Sequence, residues 1–129
     1  MPSPEIHDPS EVYLHLHTDA EVHLEPVTPE FWPQIGDRRD LQTGRLITGM
    51  ATDSDWPTWE MHPAGDEVII LTAGVSRFHL DDGNDVTEHV VAAPRYLLMP
   101  KGVWHTMDVV EPGRAVVITW GEGTEMRPR

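Results

Sequence analysis

Four residues with metal-binding side chains define the chemistry that this sequence can support. Glu60, His62 and Glu67 place one imidazole and two carboxylates within eight residues, just before an apolar run. His105 adds a second imidazole directly after a Pro/Gly turn. Imidazole and carboxylate ligands without sulfur suit divalent ions such as Mn, Fe, Ni, Co or Zn and do not select among them. We therefore predict that the four side chains bind one divalent metal ion inside a small β-barrel.

Strand geometry explains how these residues can meet. Successive side chains of a strand point to opposite faces, so Glu60 and His62 share one face of a predicted strand. We expect the turn Pro63–Asp66 to bring the next strand back alongside, with Glu67 facing the same interior. His105 then completes the group from a separate strand.

The whole chain has the pattern of an antiparallel all-β sandwich or barrel. Short apolar or alternating segments are separated by Pro, Gly and Asp turns, and no segment has a persuasive helical period. The predicted strands span residues 11–16, 21–25, 41–50, 59–62, 67–72, 75–80, 86–91, 96–99, 105–110 and 115–120.

At 129 residues the chain is predicted to form a single domain. Residues 1–40 are assigned to an N-terminal arm and edge strands, about 41–120 to the core barrel, and 121–129 to a polar tail that frays. Within the first part, residues 1–10 are rich in Pro, Ser and acidic residues and are predicted to be a flexible or draped arm.

Composition argues against several functional classes. Nine Lys+Arg against 22 Asp+Glu give a formal net charge of −13, which would repel a nucleic-acid backbone or an anionic membrane. The absence of cysteine excludes disulfides and thiolate metal sites, and a cytoplasmic location is the default expectation. The N-terminus has neither a basic start nor an apolar stretch, so we expect neither export nor membrane insertion.

The spacing of the four residues resembles that of the cupins. The first cupin motif is a glycine, five residues, His-x-His, three or four residues, Glu, six residues and a glycine; the second is Pro-x-Gly-x-x-His. His62, Glu67 and Gly74 match the latter half of the first motif, and PKGVWH at 100–105 matches the second. The match covers roughly residues 45–120. The resemblance implies a double-stranded β-helix, a jelly-roll cupin barrel whose four motif residues bind a metal at its mouth.

Three positions depart from the cupin pattern. Glu60 stands where the family usually has its first histidine, Ser54 where the leading glycine would fall, and Val109 where an asparagine is often found. As a ligand, Glu60 would give a two-His, two-carboxylate set that favours Mn or Fe over Cu. Alternatively, Glu60 is a general base or a substrate contact beside a three-ligand metal, or the barrel binds no metal. Two crowded carboxylates without a cation would raise one pKa and keep Glu60 or Glu67 protonated.

Several residues outside the group of four are further candidates. Arg45, Phe78 and Trp104 are candidates for lining a substrate pocket; Arg45 would clamp a carboxylate if it faced inward and would be solvated if it faced outward. His15 and His17 have the His-x-His spacing of metal sites, but without a nearby third ligand they are expected to be surface or interface residues. No nucleophilic motif is present, so no catalytic residue is assigned.

The leading functional hypothesis is a metal-dependent cupin enzyme acting on a small organic substrate, of the oxygenase, isomerase or lyase class. The alternative is a non-catalytic small-ligand-binding or sensor cupin. Ala115–Trp120 is apolar at every position except Thr119, which predicts burial on both faces of that strand. We therefore expect a homodimer formed through the outer sheet, with a small molecule rather than nucleic acid or membrane as the other partner.

Overall fold

The computed structural model describes residues 3–129, so residues 1 and 2 of the predicted arm lie outside the described residues. Strands account for most of the ordered structure, and α-helix is absent from the described part of the chain. The elements are β1 Val12–Leu16, β2 Val22–Pro26, 3-10 helices at Ile35–Asp37 and Arg39–Leu41, β3 Arg45–Thr52, β4 Thr58–Met61, β5 Glu67–Asp81, β6 Val86–Ala92, β7 Tyr96–Met99, β8 Trp104–Thr119 and β9 Glu125–Pro128.

The strands form two antiparallel half-sheets that share the long strands β5 and β8. The first half-sheet has the order β2-β1-β3-β8-β5-β7, and the second has the order β6-β5-β8-β4-β9. Because β5 and β8 pass from one half-sheet into the other, the two halves must fold over one another. This arrangement confirms the predicted all-β jelly roll.

The main hydrophobic core joins the two half-sheets. Phe78 and Ile69 are completely buried and come from the two ends of β5, one from each half-sheet. The other buried members are Leu71, Val91, Met99, Met107, Ala115 and Val117. A second, smaller core of Tyr13, Phe31, Leu41 and Leu46 lies between β1, β3 and the segment with the two 3-10 helices. Burial of these apolar side chains is the main stabilising contribution to the fold.

The strands β5 and β8 each replace two predicted strands. Segments 67–72 and 75–80 are continuous in β5, and 105–110 and 115–120 are continuous in β8, so the predicted breaks between them are wrong. The pairing of β5 with β8 shifts register at three places between Leu71 and Ser76. Bulges of this kind bend a strand while keeping it paired, which lets one strand serve both half-sheets. A periodicity argument does not distinguish a bulge from a turn.

The two ends of the described chain are anchored to the barrel. The arm contacts β3 through a hydrogen bond from the Gly49 backbone nitrogen to the Pro9 carbonyl oxygen at 2.7 Å. The expectation of a frayed tail is wrong, because β9 pairs with β4 over four residues. No helix in residues 3–129 has the length and apolar character needed to cross a membrane.

The bend in β5 and β8 depends on glycine. Gly74 has a positive φ of 83°, and a Cβ there would lie 2.6 Å from the Glu111 carbonyl oxygen. A Cβ on Gly113 would overlap the carbonyl group of Ala73. The two backbones therefore approach too closely for any side chain at Gly113.

We predict that Gly113→Ala lowers the free energy of unfolding by roughly 2–3 kcal/mol, because backbone must move to admit the methyl group. Urea unfolding followed by circular dichroism would measure this change. Gly36→Ala is the matched control, since a Cβ at Gly36 meets nothing within 4 Å, and its effect should stay within about 0.5 kcal/mol. Equal stability of the two variants would show that the close crossing of β5 and β8 is absent in solution.

Candidate metal centre

The strand β8 lies between β4 and β5 and brings the candidate residues together. In the described chain β4 and β5 do not pair, so the predicted hairpin between them is wrong. Instead, Glu60 on β4 is the direct cross-strand partner of His105 on β8. On its other side His105 is paired with Leu80 of β5. The residue of the four that is most distant in sequence is thus a direct cross-strand neighbour of Glu60.

Glu67 lies between the two predicted histidines, His62 and His105. The Nε2 atom of His62 lies 3.0 Å from Glu67 Oε2, and Nε2 of His105 lies 3.2 Å from Glu67 Oε1. Glu60 is more loosely placed, with its Oε2 atom 3.9 Å from His62 Nε2. Ligand atoms of Glu60, His62 and His105 all lie within 4.8 Å of one another. Glu60, His62 and His105 can therefore hold a metal ion, and Glu67 lies in contact with both histidines.

The group is largely closed to water. His105 is completely buried, and the side chains of His62 and Glu67 are 7% and 4% exposed, whereas that of Glu60 is 31% exposed. Three of the facing atoms, His62 Nε2, His105 Nε2 and Glu67 Oε1, lack a hydrogen-bond partner among the described residues. Although the distances between them are short, the groups are not aligned as hydrogen bonds. Buried polar atoms without partners are uncommon in proteins and call for a ligand or another explanation.

Both histidines are oriented by a partner on the other ring nitrogen. His105 Nδ1 lies 3.0 Å from the Val103 carbonyl oxygen, which can only accept a hydrogen bond. His62 Nδ1 lies 2.8 Å from Thr124 Oγ1, whose own hydrogen is donated to the Gly121 carbonyl oxygen. In its neutral form each ring therefore carries hydrogen on Nδ1 and presents an Nε2 lone pair to the group. Metal-binding histidines are held in this way by their outer partners.

Glu67 is held by a hydroxyl on β8. Thr119 Oγ1 donates a hydrogen bond of 2.6 Å to Glu67 Oε2, which leaves Oε1 free. Thr119 and Thr124 were not predicted as site residues from the sequence, because a lone threonine far from the motifs carries no recognisable signal. Nor was Trp56, whose ring centroid lies 6.1 Å from that of His105 and 6.4 Å from that of Phe78.

The local environment shifts the pKa values of the two carboxyl groups in opposite directions. Burial acts to raise the pKa of Glu67, but the adjacent rings of His105 and His62 outweigh it and hold the pKa at about 2. Burial, followed by the charge of Glu67, raises the pKa of Glu60. Burial acts to lower the pKa of His105, but Glu67 outweighs it and raises that pKa. The raised pKa of Glu60 agrees with the expected effect of crowding two carboxylates.

The three predicted pocket residues lie in different surroundings. Arg45 is exposed and alternates along β3 with the buried Leu46, so it faces outward from the core. Phe78 is completely buried in the main core. Trp104 is half-buried, and the Arg127 guanidinium lies over its ring at 4.5 Å from the centroid. A role of these residues in a substrate pocket stays a prediction.

Comparisons with known proteins bear on the fold. No protein-family model matches the chain, and no curated protein matches it. A structure of a Neisseria meningitidis protein matches with a TM-score of 0.50 and 20% identity, over 58% of this chain and 72% of that one. A cupin-2 domain containing protein from Shewanella frigidimarina gives 0.47 and 20%, over 66% and 71%. A cupin superfamily protein from Desulfitobacterium hafniense gives 0.49 and 16%, over 58% and 65%.

The chain has an all-β jelly-roll fold. The double role of β5 and β8 in both half-sheets matches the jelly-roll barrel that the motifs predict. At identities of 16–20% the likeness concerns the fold alone. The chemistry of this barrel must therefore be argued from its own residues.

We predict that Thr124→Val changes the tautomer of His62 and leaves that of His105 unchanged. In the metal-free protein, at a pH where both rings are neutral, each should carry its hydrogen on Nδ1. Valine removes the acceptor for His62 Nδ1 while conserving shape, so the hydrogen should move partly or wholly to Nε2. Nitrogen-15 NMR of the imidazole rings measures this distribution. An unchanged His62 spectrum would contradict the proposed role of Thr124.

Proposed function

We propose that this chain binds one divalent metal ion through Glu60, His62, Glu67 and His105, and that it is an enzyme acting on a small organic substrate. The observation that carries the proposal is the set of buried atoms without hydrogen-bond partners, His62 Nε2, His105 Nε2 and Glu67 Oε1. Two imidazole nitrogens and two carboxylates form a donor set suited to borderline or hard divalent ions. A positive ion would also offset the repulsion between the two carboxylates.

The side chains would have different roles in such a site. The lone pairs of His62 and His105 are kept in place by Thr124 and the Val103 carbonyl, so little reorganisation is needed on binding. Glu67 supplies a carboxylate that stays ionised because its pKa is held low. A bound divalent ion would supply Lewis acidity toward an oxygen atom of the substrate.

Glu60 is the member of the group best suited to meet a substrate. Its side chain is the most exposed of the four, and its pKa is raised by burial and by Glu67. A carboxyl group with a raised pKa holds a proton more readily than an ordinary carboxyl group and can pass it to a bound molecule. Glu60 is therefore proposed both as a ligand and as the residue closest to an entering molecule.

We predict that His62→Ala abolishes stoichiometric metal binding, because it removes a buried ligand whose geometry is fixed. Tag-free protein should be loaded with Mn²⁺ or Fe²⁺, separated from free metal and measured by elemental analysis. His89→Ala is the control, since His89 is exposed on β6, and it should keep the wild-type metal content. A His62→Ala protein that retains as much metal as wild type would contradict the proposed site.

The Glu60→Gln variant tests the role of the fourth residue in the same assay. If Glu60 is a ligand, we expect metal affinity to fall by roughly 10-fold or more. Removing a residue that only hydrogen-bonds to a ligand has an effect of about this size, and removing the ligand itself should cost at least as much. Substrate and oxygen-uptake screens of the loaded protein test the enzymatic part. A small molecule retained in stoichiometric amount, with no turnover in such screens, would contradict it.

We also propose a homodimer formed through the outer face of the first half-sheet. The outward positions on β8, β5 and β7 are aligned across the strands and are apolar: Val116, Ile118, Val68, Ile70, Tyr96 and Leu98. Tyr96 and Leu98 are 68% and 54% exposed. Chains with a net charge of −13 repel each other, so an association is most favourable at a face where these outward positions carry no carboxylate.

We predict a molecular mass of about twice the 14.6 kDa of the chain in solution. Leu98→Glu should give a folded monomer, because it places a charge within the apolar contact at an exposed position. Val90→Glu is the matched control, since Val90 is 61% exposed but lies on β6 in the second half-sheet, and it should remain dimeric. Light scattering coupled to size-exclusion chromatography measures each mass. A wild-type monomer would contradict the proposal.

A further inference from the structure

Three histidines gather on the β1–β2 hairpin, far in sequence from the group around Glu67. His15 lies on β1 and His17 directly follows the end of that strand, and His23 on β2 is the direct cross-strand partner of His15. The ring centroids of His15 and His17 are 4.3 Å apart, and those of His17 and His23 are 4.1 Å apart. We call these residues the hairpin histidines. The structure thus adds His23 as the third imidazole that the His-x-His pattern alone lacked.

His15 is a buried residue rather than the expected surface residue. It is completely buried, and its Nε2 atom lies 2.7 Å from the Thr43 carbonyl oxygen. Because a carbonyl oxygen can only accept, Nε2 carries the hydrogen and Nδ1 carries a lone pair. This Nδ1 atom is buried and has no hydrogen-bond partner within residues 3–129. The loop that supplies Thr43 turns at Gly44, where φ is 81° and a Cβ would lie 3.1 Å from His15 Nε2.

We propose that the hairpin histidines form a second metal site, for a borderline transition-metal ion such as Zn²⁺, Ni²⁺ or Cu²⁺. A hydrogen bond from one ring nitrogen to a backbone carbonyl is the usual outer support of a metal-binding histidine, and it leaves the other nitrogen as the ligand. His15 has this arrangement. Imidazole nitrogens suit Zn²⁺, Cu²⁺ and Ni²⁺, whereas Mn²⁺ prefers oxygen ligands.

Closing the site requires side-chain movement, which the exposed His23 can provide. Among the described residues, the nitrogens of the hairpin histidines do not all lie within 4.8 Å of one another, unlike those at Glu60, His62 and His105. His15 is fixed by Thr43, but the His23 side chain is 46% exposed and can rotate about its side-chain bonds. Glu21 Oε2, 3.3 Å from His23 Nε2, provides a nearby carboxylate as a further ligand.

The experiment is a Zn²⁺ titration by calorimetry of tag-free, chelator-treated protein. We expect two equivalents to bind to wild type and one to bind to the His105→Ala variant, in which the group around Glu67 is disabled. In the His105→Ala background, His23→Ala should lower the Zn²⁺ affinity of the remaining site by roughly 10-fold or more. Loss of a residue that only hydrogen-bonds to a metal ligand already costs about that much, and His23 is proposed as a ligand itself. His23 is exposed, so its replacement should not unfold the protein. His89→Ala, also exposed, is the control and should change nothing.

The outcomes separate this proposal from the function proposed for the group around Glu67. If His105→Ala does not fold, His23→Ala in the wild-type background should reduce the stoichiometry from two to one. Two equivalents retained after His23→Ala, or no Zn²⁺ bound by a folded His105→Ala protein, would overturn the hairpin site. If His23→Ala loses one equivalent of Zn²⁺ and His105→Ala loses none, the result would support the hairpin site and contradict the metal site proposed around Glu67. Mn²⁺ should give no signal that depends on His23.

Discussion

Four ionisable side chains share a space that is largely closed to water, and neighbouring residues stabilise this arrangement through hydrogen bonds. Placing Glu60, His62, Glu67 and His105 together would be unfavourable if their polar atoms were simply left without partners. The protein pairs the outward-facing atoms of the two histidines and leaves the inward-facing atoms free. The arrangement is thus organised for a positive ion rather than for its own internal hydrogen bonds.

The supporting partners come from β8 and from the segment that leads into β9. Thr119 on β8 donates to Glu67, and Thr124 accepts from His62 just before β9 begins. The strand β9 is in turn held by Arg127, whose guanidinium lies over the rings of Trp59 and Trp104 and bonds to Asp81. Cation–π contacts and a charge-assisted hydrogen bond at one residue fix a strand of four residues. The segment predicted to fray therefore supports a candidate ligand.

The sequence analysis predicted the fold class and the four side chains that meet, because both depend on local patterns. Alternation and motif spacing predicted that His62, Glu67 and His105 face a common interior, and these side chains lie close together, although His62 follows the end of β4. The predictions were wrong where a contact between residues distant in sequence determines the local structure. Whether residues 111–114 form a turn or a bulged crossing depends on how closely Gly113 approaches Ala73, and the neighbour of β4 depends on where β8 inserts. Likewise, His15 is buried by Thr43 and Gly44, which strand alternation does not reveal.

The insertion of β8 between β4 and β5 also constrains how the protein can fold. Glu60, His62 and Glu67 are close along the chain, yet β4 and β5 are held in place by a strand that begins at Trp104. Contacts of such long sequence separation require closure of large loops, which slows folding. The complete group can exist only in molecules whose long-range strand pairing is finished. A ligand bound at this group would therefore report that the barrel is fully assembled.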